Sequence, residues 1–295
     1  MHWYDEWAEQ LAQKYRKNHA AFYEEPSREY IAPFKIADDL YYVGDRLVCI
    51  HLIRTDEGLI LLDAGFPGAT HLLMASIIRL GFDPADVRWI ILTHGHFDHF
   101  GAANEFRNLY GTKVALSAVD TATMQELPSR TAGSFTPVPH NLPIIDRTLE
   151  DGEIFSFGGT QIRCVLTPGH TLGTMSFFFT VTEQGSTYLA GLFGGAGTNA
   201  LRLPYMLHDQ LPLDMAHRMI ASLDRIQNEP VTVHLGNHPG NNHTLQKRER
   251  QLNEGGNPFV DPSSWPEFVS NLRKESLKIM GENAELARQH HIDLS

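Results

Sequence analysis

Four side chains able to bind a metal ion occupy six consecutive positions in His94-Gly95-His96-Phe97-Asp98-His99. Neutral imidazole and carboxylate are donors that suit zinc and other borderline divalent cations. The chain holds 16 histidines, so chance pairs are expected. Four donors packed this closely behind an apolar run are not. That run, Val87-Arg88-Trp89-Ile90-Ile91-Leu92, has the composition of a buried strand, and Phe100 to Phe106 reads as a helix start. The donors therefore sit where a strand hands over to a helix, from which side chains can fan around a common centre. Gly95 permits backbone there that other residues resist.

Such a centre needs donors from elsewhere. Thr167-Pro168-Gly169-His170-Thr171-Leu172-Gly173 puts His170 on a turn just after a strand pattern, and Asn237-His238-Pro239-Gly240 does the same for His238. Two histidines compete with His238. His234 lies inside the strand pattern and reads as packed, while His243 is close enough to reach a cleft; His238 is favoured. All three groups then lie at carboxyl ends of strands, and one edge of the fold gathers them.

The elements that must do this positioning are legible in outline. Residues 1–30 read as an N-terminal helical extension, with Trp3, Trp7, Leu11 and Tyr15 at helical spacing for packing on the body and Pro26 ending the run. The body spans 31–258. Its first strands are Leu40–Val43, Leu47–Ile53 and Leu59–Leu62, joined by turns at Gly44-Asp45 and Thr55-Asp56-Glu57-Gly58. A helix over His71–Leu80, the central strand, a helix ending near Gly111 and a strand at Lys113–Leu116 follow. A second series comprises Arg147–Leu149, Glu153–Phe157, Thr160–Leu166, Thr174–Val181 and Thr187–Ala190. Residues 191–197 are too glycine-rich for strand or helix. A helix over Leu213–Ile226, a last strand at Val231–Leu235 and a C-terminal helix in 259–295, packed on the same domain, complete the chain. Two mixed sheets with helices on their outer sides make an α/β fold, a four-layer αββα sandwich. Residues 127–145, with Pro128, Pro137, Pro139 and Pro143, form an irregular loop long enough to be functional. Phe135, Pro137, Pro139 and His140 in it are candidates to cover a cleft. Phe97 is a candidate to line that cleft, and Asn241 and Asn242 to offer amides to a substrate carbonyl.

The formal net charge is −11, from 24 basic and 35 acidic residues. It argues against a nucleic-acid partner and leaves small-molecule substrates open, because a metal dominates its local field. Cys49 and Cys164 sit in apolar runs as small buried hydrophobes, not as a disulfide framework. Met1 to Trp7 lacks the basic stretch and apolar core of a signal peptide, so the expectation is a cytoplasmic protein, or a periplasmic or secreted one if the chain is a processed form. No apolar run approaches the ~20 residues of a membrane helix.

Together, Leu61-Leu62-Asp63-Ala64-Gly65, the His94–His99 motif, Thr167–Gly173 and the late His238 resemble the metallo-β-lactamase superfamily, over residues 30–245. The resemblance implies an αββα sandwich with two zinc ions at one edge. His94, His96 and His170 would hold the first zinc, Asp98, His99 and His238 the second, and Asp63 would orient the site. Most two-metal members place a bridging Asp after a strand glycine, whereas Leu192 follows Gly191 here. In this the chain is similar to the third subclass of metallo-β-lactamases, whose second zinc is held by Asp and two His. Residues 32–44 and 146–160 also resemble that subclass. Its members often hold a substrate carboxylate with serines after this strand, and Leu192, Phe193, Gly194 and Gly195 offer none. The implied chemistry is hydrolysis. Metal-activated water, its pKa lowered toward ~7, attacks a carbonyl, with Asp98 as the catalytic carboxylate that orients it. A β-lactam or related cyclic amide is the first expectation and a lactone or thioester the alternative. Iron-carrying redox relatives commonly replace a ligand His of the first motif by a carboxylate, and this chain keeps His96.

Overall fold

The computed structural model describes residues 2–132, 135–136 and 141–294, without the Ser129 side chain. Pro137, Pro139 and His140, named above as cleft covers, lie outside the described residues. The chain opens with α1 (Trp3–Asn18) and α2 (Ala20–Glu24). Seven strands then form one sheet in sequential order: β1 (Phe34–Ala37), β2 (Leu40–Tyr42), β3 (His51–Thr55), β4 (Gly58–Leu62), β5 (Val87–Ile91), β6 (Lys113–Ser117) and β7 (Arg147–Leu149). The first four pair antiparallel through short turns, and β4 to β7 pair parallel. Parallel neighbours require crossovers. These are supplied by α3 (Thr70–Arg79), by α4 (Phe97–Phe100) with α5 (Ala103–Tyr110), and by α6 (Ala118–Glu126).

The second sheet has five strands in the order β12-β11-β10-β9-β8. They are β8 (Ile154–Phe157), β9 (Thr160–Leu166), β10 (Met175–Glu183), β11 (Ser186–Leu192) and β12 (Val233–Leu235), with only the β11–β12 pair parallel. Between those two strands run α7 (Leu203–His208) and α8 (Met215–Ile226); α9 (Thr244–Asn253) and α10 (Ser264–His290) end the chain.

The period-2 alternation of each strand separates two cores. Ile60 and Leu62 of β4 meet Phe177 and Phe179 of β10 between the sheets, whereas Leu59 and Leu61 turn outward to the helices. Phe178 faces outward too, edge-on to Trp265 of α10 with ring centroids 5.6 Å apart. Sheets buried on both faces, with helices outside, give the four-layer αββα sandwich that the sequence predicts.

Three local expectations change. The Leu47–Ile53 strand shortens at its start to His51, because Asp45 Oδ1 accepts from the backbone N–H groups of Leu47 and Val48 and folds 45–48 into a turn. The 187–190 strand extends through Gly191 and Leu192, paired with His234 and Leu235. A Cβ at Gly191 would lie 2.5 Å from Val231, so glycine is what lets this strand approach its neighbour. Helices α6, α7 and α9 occupy stretches in which the sequence showed no strong period.

Candidate metal centre

The site grows from the carboxyl ends of β4, β5, β9 and β12. Asp63 follows β4 at φ 64°, a left-handed conformation that aims its carboxylate across the sheet. It accepts from the Thr93 N–H at 2.7 Å, from the Thr93 hydroxyl and, through Oδ2, from His99 Nδ1 at 2.8 Å. The single Thr93 hydroxyl hydrogen is directed to Asp63, so Thr93 Oγ1 accepts from His94 Nδ1 at 2.9 Å. One buried carboxylate thus orders both His94 and His99. His170 Nδ1 donates to the Gly197 carbonyl at 2.8 Å, and His238 Nδ1 to the Leu47 carbonyl at 2.7 Å. A carbonyl only accepts, so each of these imidazoles carries its proton on Nδ1 and presents a bare Nε2.

Those bare nitrogens converge. His94 Nε2 and His170 Nε2 are 3.1 Å apart with no proton left to share between them. His99 Nε2 is buried without any hydrogen-bond partner. Facing lone pairs and an orphaned buried nitrogen are costly unless a cation sits among them. The donors form two groups, His94/His96/His170 and Asp98/His99/His238, and within each the donor atoms lie within 4.8 Å of one another. Asp98 Oδ2 lies 3.5 Å from His99 Nε2 and 3.7 Å from His238 Nε2. Six donors of this chemistry, four of them imidazoles held with a bare Nε2, fit zinc.

For four of the five imidazoles electrostatics points the same way. Burial pushes the pKa values of His94 and His96 well below the usual imidazole range and that of His170 down to about 4; neighbouring imidazoles add to each shift. His238 is likewise lowered, chiefly by burial. Burial also acts against charge on His99 and Asp98, yet their mutual attraction wins, with Asp63 helping the imidazole and His238 the carboxylate. His99 is raised and Asp98 lowered.

All six predicted donors come together in this way. His234 points elsewhere, with Nδ1 on Ser264 Oγ at 2.9 Å and its ring edge-on to Trp265. His243 is exposed beside a neighbouring cavity. Phe97 and Asn241 line the cleft over the donors, and Asn241 donates to Asn237. Asn242 does not reach the cleft, contrary to expectation. It is buried, donating to the His234 carbonyl and accepting from Thr244, so it braces the turn that carries His238. Leu192 lies buried at the end of β11, leaving no carboxylate at that position.

Two features escaped the sequence. The glycine-rich stretch is a cradle: a Cβ at Gly195 or Gly197 would come within 2.8 Å of the His170 ring. Asp120 is a buried carboxylate that accepts from Gly95 N, from the Thr171 hydroxyl and from Gly173 N, tying the His96 loop to the His170 loop. Its sequence signal was the Ser117-x-x-Asp120 spacing of a helix start, and Ser117 does cap α6. The cleft itself holds about 590 Å³. Phe135 forms part of its wall, stacked on Tyr15 of α1 at 4.7 Å.

Known proteins resemble the chain in sequence and in fold. The family model of the metallo-β-lactamase superfamily matches residues 43–182. The structure of BJP-1, a subclass B3 metallo-β-lactamase of Bradyrhizobium japonicum, is similar over 88% of this chain and 97% of that one, with a TM-score of 0.77 and 25% identity. A hydroxyacylglutathione hydrolase of Acidiphilium cryptum is 31% identical over 31% of this chain and 30% of its own length. A probable polyketide biosynthesis zinc-dependent hydrolase, BaeB of Bacillus velezensis, is 31% identical over 39% of this chain and 46% of its own. The chain thus spans less than half the length of these two curated relatives. No helix among the described residues is long and apolar enough to cross a membrane. With its αββα sandwich, its two donor groups at one sheet edge and these matches, the chain carries a metallo-β-lactamase domain, matched by the family model over residues 43–182.

Proposed function

We propose that this protein is a dinuclear zinc hydrolase of the subclass B3 kind that opens a β-lactam or a related cyclic amide. The observation that carries the reading is the convergence of His94, His96 and His170 beside Asp98, His99 and His238 at the floor of one cavity. The first group would hold one zinc and the second the other. Zinc bound there supplies Lewis acidity, polarising a carbonyl and lowering the pKa of water toward ~7. The chain's own residues do the rest. Hydrogen bonds from Nδ1 to Thr93, Asp63, Gly197 and Leu47 lock four imidazoles in the donor tautomer. Asp98 orients the attacking water and holds its proton at a carboxylate oxygen, and the aromatic walls exclude bulk solvent. The near full-length likeness to BJP-1 and the absence of a carboxylate at Leu192 support subclass B3 chemistry.

The curated relative named a hydroxyacylglutathione hydrolase favours a second reading, thioester hydrolysis at the same centre. A panel of a chromogenic cephalosporin, an acyl-homoserine lactone and an acyl-glutathione thioester, each given to zinc-loaded protein, decides between them. Turnover should vanish with a chelator and return with zinc. Undiminished turnover by metal-free protein would overturn both readings, and metal counting by mass spectrometry should give two zinc ions per chain.

A further inference from the structure

The cleft has one wall that its catalytic floor does not explain. Leu11, Lys14, Tyr15 and Asn18 of α1, spaced i, i+3, i+4 and i+7, line it together. The helix also packs on the body, with Ala8 and Ala12 buried along one flank of this face and Trp7, one turn before Leu11, edge-on to Tyr205. What sets the cleft-lining stretch apart is that it carries a charge. Lys14 is the one lysine or arginine in the lining of the cleft among the described residues. It is exposed, and Gln10, Leu11, Lys17 and Asn18 at its i±3 and i±4 positions offer no acid. No hydrogen bond or ion pair engages its ammonium among the described residues, whereas Arg16 on the same helix is paired with Glu9 at 2.9 Å. A chain of net charge −11 repels anions at long range, so an unpaired cation at the mouth of the cleft is the local feature able to receive one. The stretch that ends β11 and follows it offers no rival: Leu192 and Phe193 are buried apolar residues, and Gly194 and Gly195 bear no side-chain donor.

We propose that the inner face of α1 is the specificity wall of the cleft, with Lys14, aided by Asn18 one turn on, receiving a carboxylate of the substrate while Tyr15 and Phe135 pack its apolar part. This rests on the hydrolase reading only for which reaction follows binding. The test has two arms. In the first, the dissociation constants of 4-phenylbutyrate and of its amide are measured calorimetrically on zinc-loaded wild type, Lys14→Ala and Lys14→Arg. Lys14→Ala should weaken the carboxylate about fivefold, the scale of one partly screened ion pair, and leave the amide unchanged; Lys14→Arg should keep the carboxylate. A carboxylate held by zinc alone would bind Lys14→Ala as well as wild type, and that result, or an equal loss for acid and amide, would overturn the proposal. In the second arm, KM is compared for a cephalosporin and its methyl ester, and for an acyl-glutathione and the matching acyl-N-acetylcysteamine thioester. The variant should raise KM only for the acid of whichever pair is turned over, with kcat unchanged. That pair identifies whether the carboxylate comes from a β-lactam or from a peptide thiol. If wild type hydrolyses neither pair, the catalytic reading fails while the binding arm still decides the role of Lys14.

Discussion

His234 and His238 stand four residues apart around the end of β12, and they have opposite fates. His234 is fully buried among Trp265, Phe268 and Ser264, with an Nε2 that meets no partner. His238, beyond the strand, is held by the Leu47 carbonyl and turns its Nε2 toward Asp98. Burial lowers both pKa values. Burial and a shifted pKa therefore do not distinguish a metal ligand from a core histidine. What distinguishes them is whether a second and third donor share the space the ring points into. His234 has a hydroxyl, aromatic faces and the nearby Lys247 ammonium around it, whereas His238 has Asp98 and His99.

The largest expected effect removes convergence from the edge. His94→Ala deletes a donor from the first group and leaves Thr93 Oγ1 without the imidazole N–H it accepts from, and hydrolysis of the responsive panel substrate should fall to the buffer background with the fold retained by circular dichroism. Substantial turnover in that variant would break the comparison at its root. Next comes the reciprocal pair. His238→Ala should lower zinc affinity at the Asp98/His99/His238 group by more than the ~10–100-fold that losing a ligand's hydrogen-bond partner costs, with little change in melting temperature. His234→Ala should do the reverse, costing about 2–4 kcal/mol of stability through a core cavity while zinc content stays the same. Zinc loss in His234→Ala, or melting loss in His238→Ala, would assign the two rings wrongly.

The same contrast explains what could be read from the chain. The His94–His99 cluster was legible because its chemistry is contiguous and follows an unmistakable strand. His170 and His238 became legible by analogy of place, each on a turn after a strand. Both sheets were legible because apolar runs such as Met175–Phe179 are buried on two faces and show it in composition. Asp120 was not, since its role lies in two backbone N–H groups and a hydroxyl that arrive from residues 95, 171 and 173. The cleft wall on α1 was missed for a related reason: Leu11 and Tyr15 look identical in sequence whether they pack on a body or face a cavity. The Leu47–Ile53 run starts as a turn and not as a strand because Asp45, a single side chain, outcompetes the strand ladder for two backbone donors.

A smaller effect tests how the edge is held. In Asp63→Asn, one carboxylate oxygen becomes an amide that donates. If that amide faces His99 Nδ1, the ring must accept there and carry its proton on Nε2, the atom that should bind metal. Zinc affinity should drop ~10–100-fold, read by competition with a chromophoric chelator. An unchanged affinity would mean that Asp63 serves only to shape the backbone at the ends of β4 and β5.

The gentlest test concerns the buried imidazoles away from the edge. His51 and His234 have their pKa values lowered from 6.5 to about 3, by burial in both cases with Lys247 adding to the shift at His234. Between those limits the unfolded chain binds protons at these positions and the folded chain does not. Stability therefore rises with pH across the window and is lost as pH falls from 6.5 toward 3, by up to ~1.4 kcal/mol per pH unit for each ring. His51 lies in β3, edge-on to Tyr42, and is not among the donors. Urea unfolding of metal-free protein at pH 7 and pH 5 should show a difference about 2 kcal/mol smaller in His51→Leu than in wild type. The edge histidines titrate in both proteins and cancel from that difference. An equal pH dependence in the two would mean that His51 takes up its proton in the folded state, which a ring sealed in the sheet with an unpartnered Nε2 cannot do without local opening.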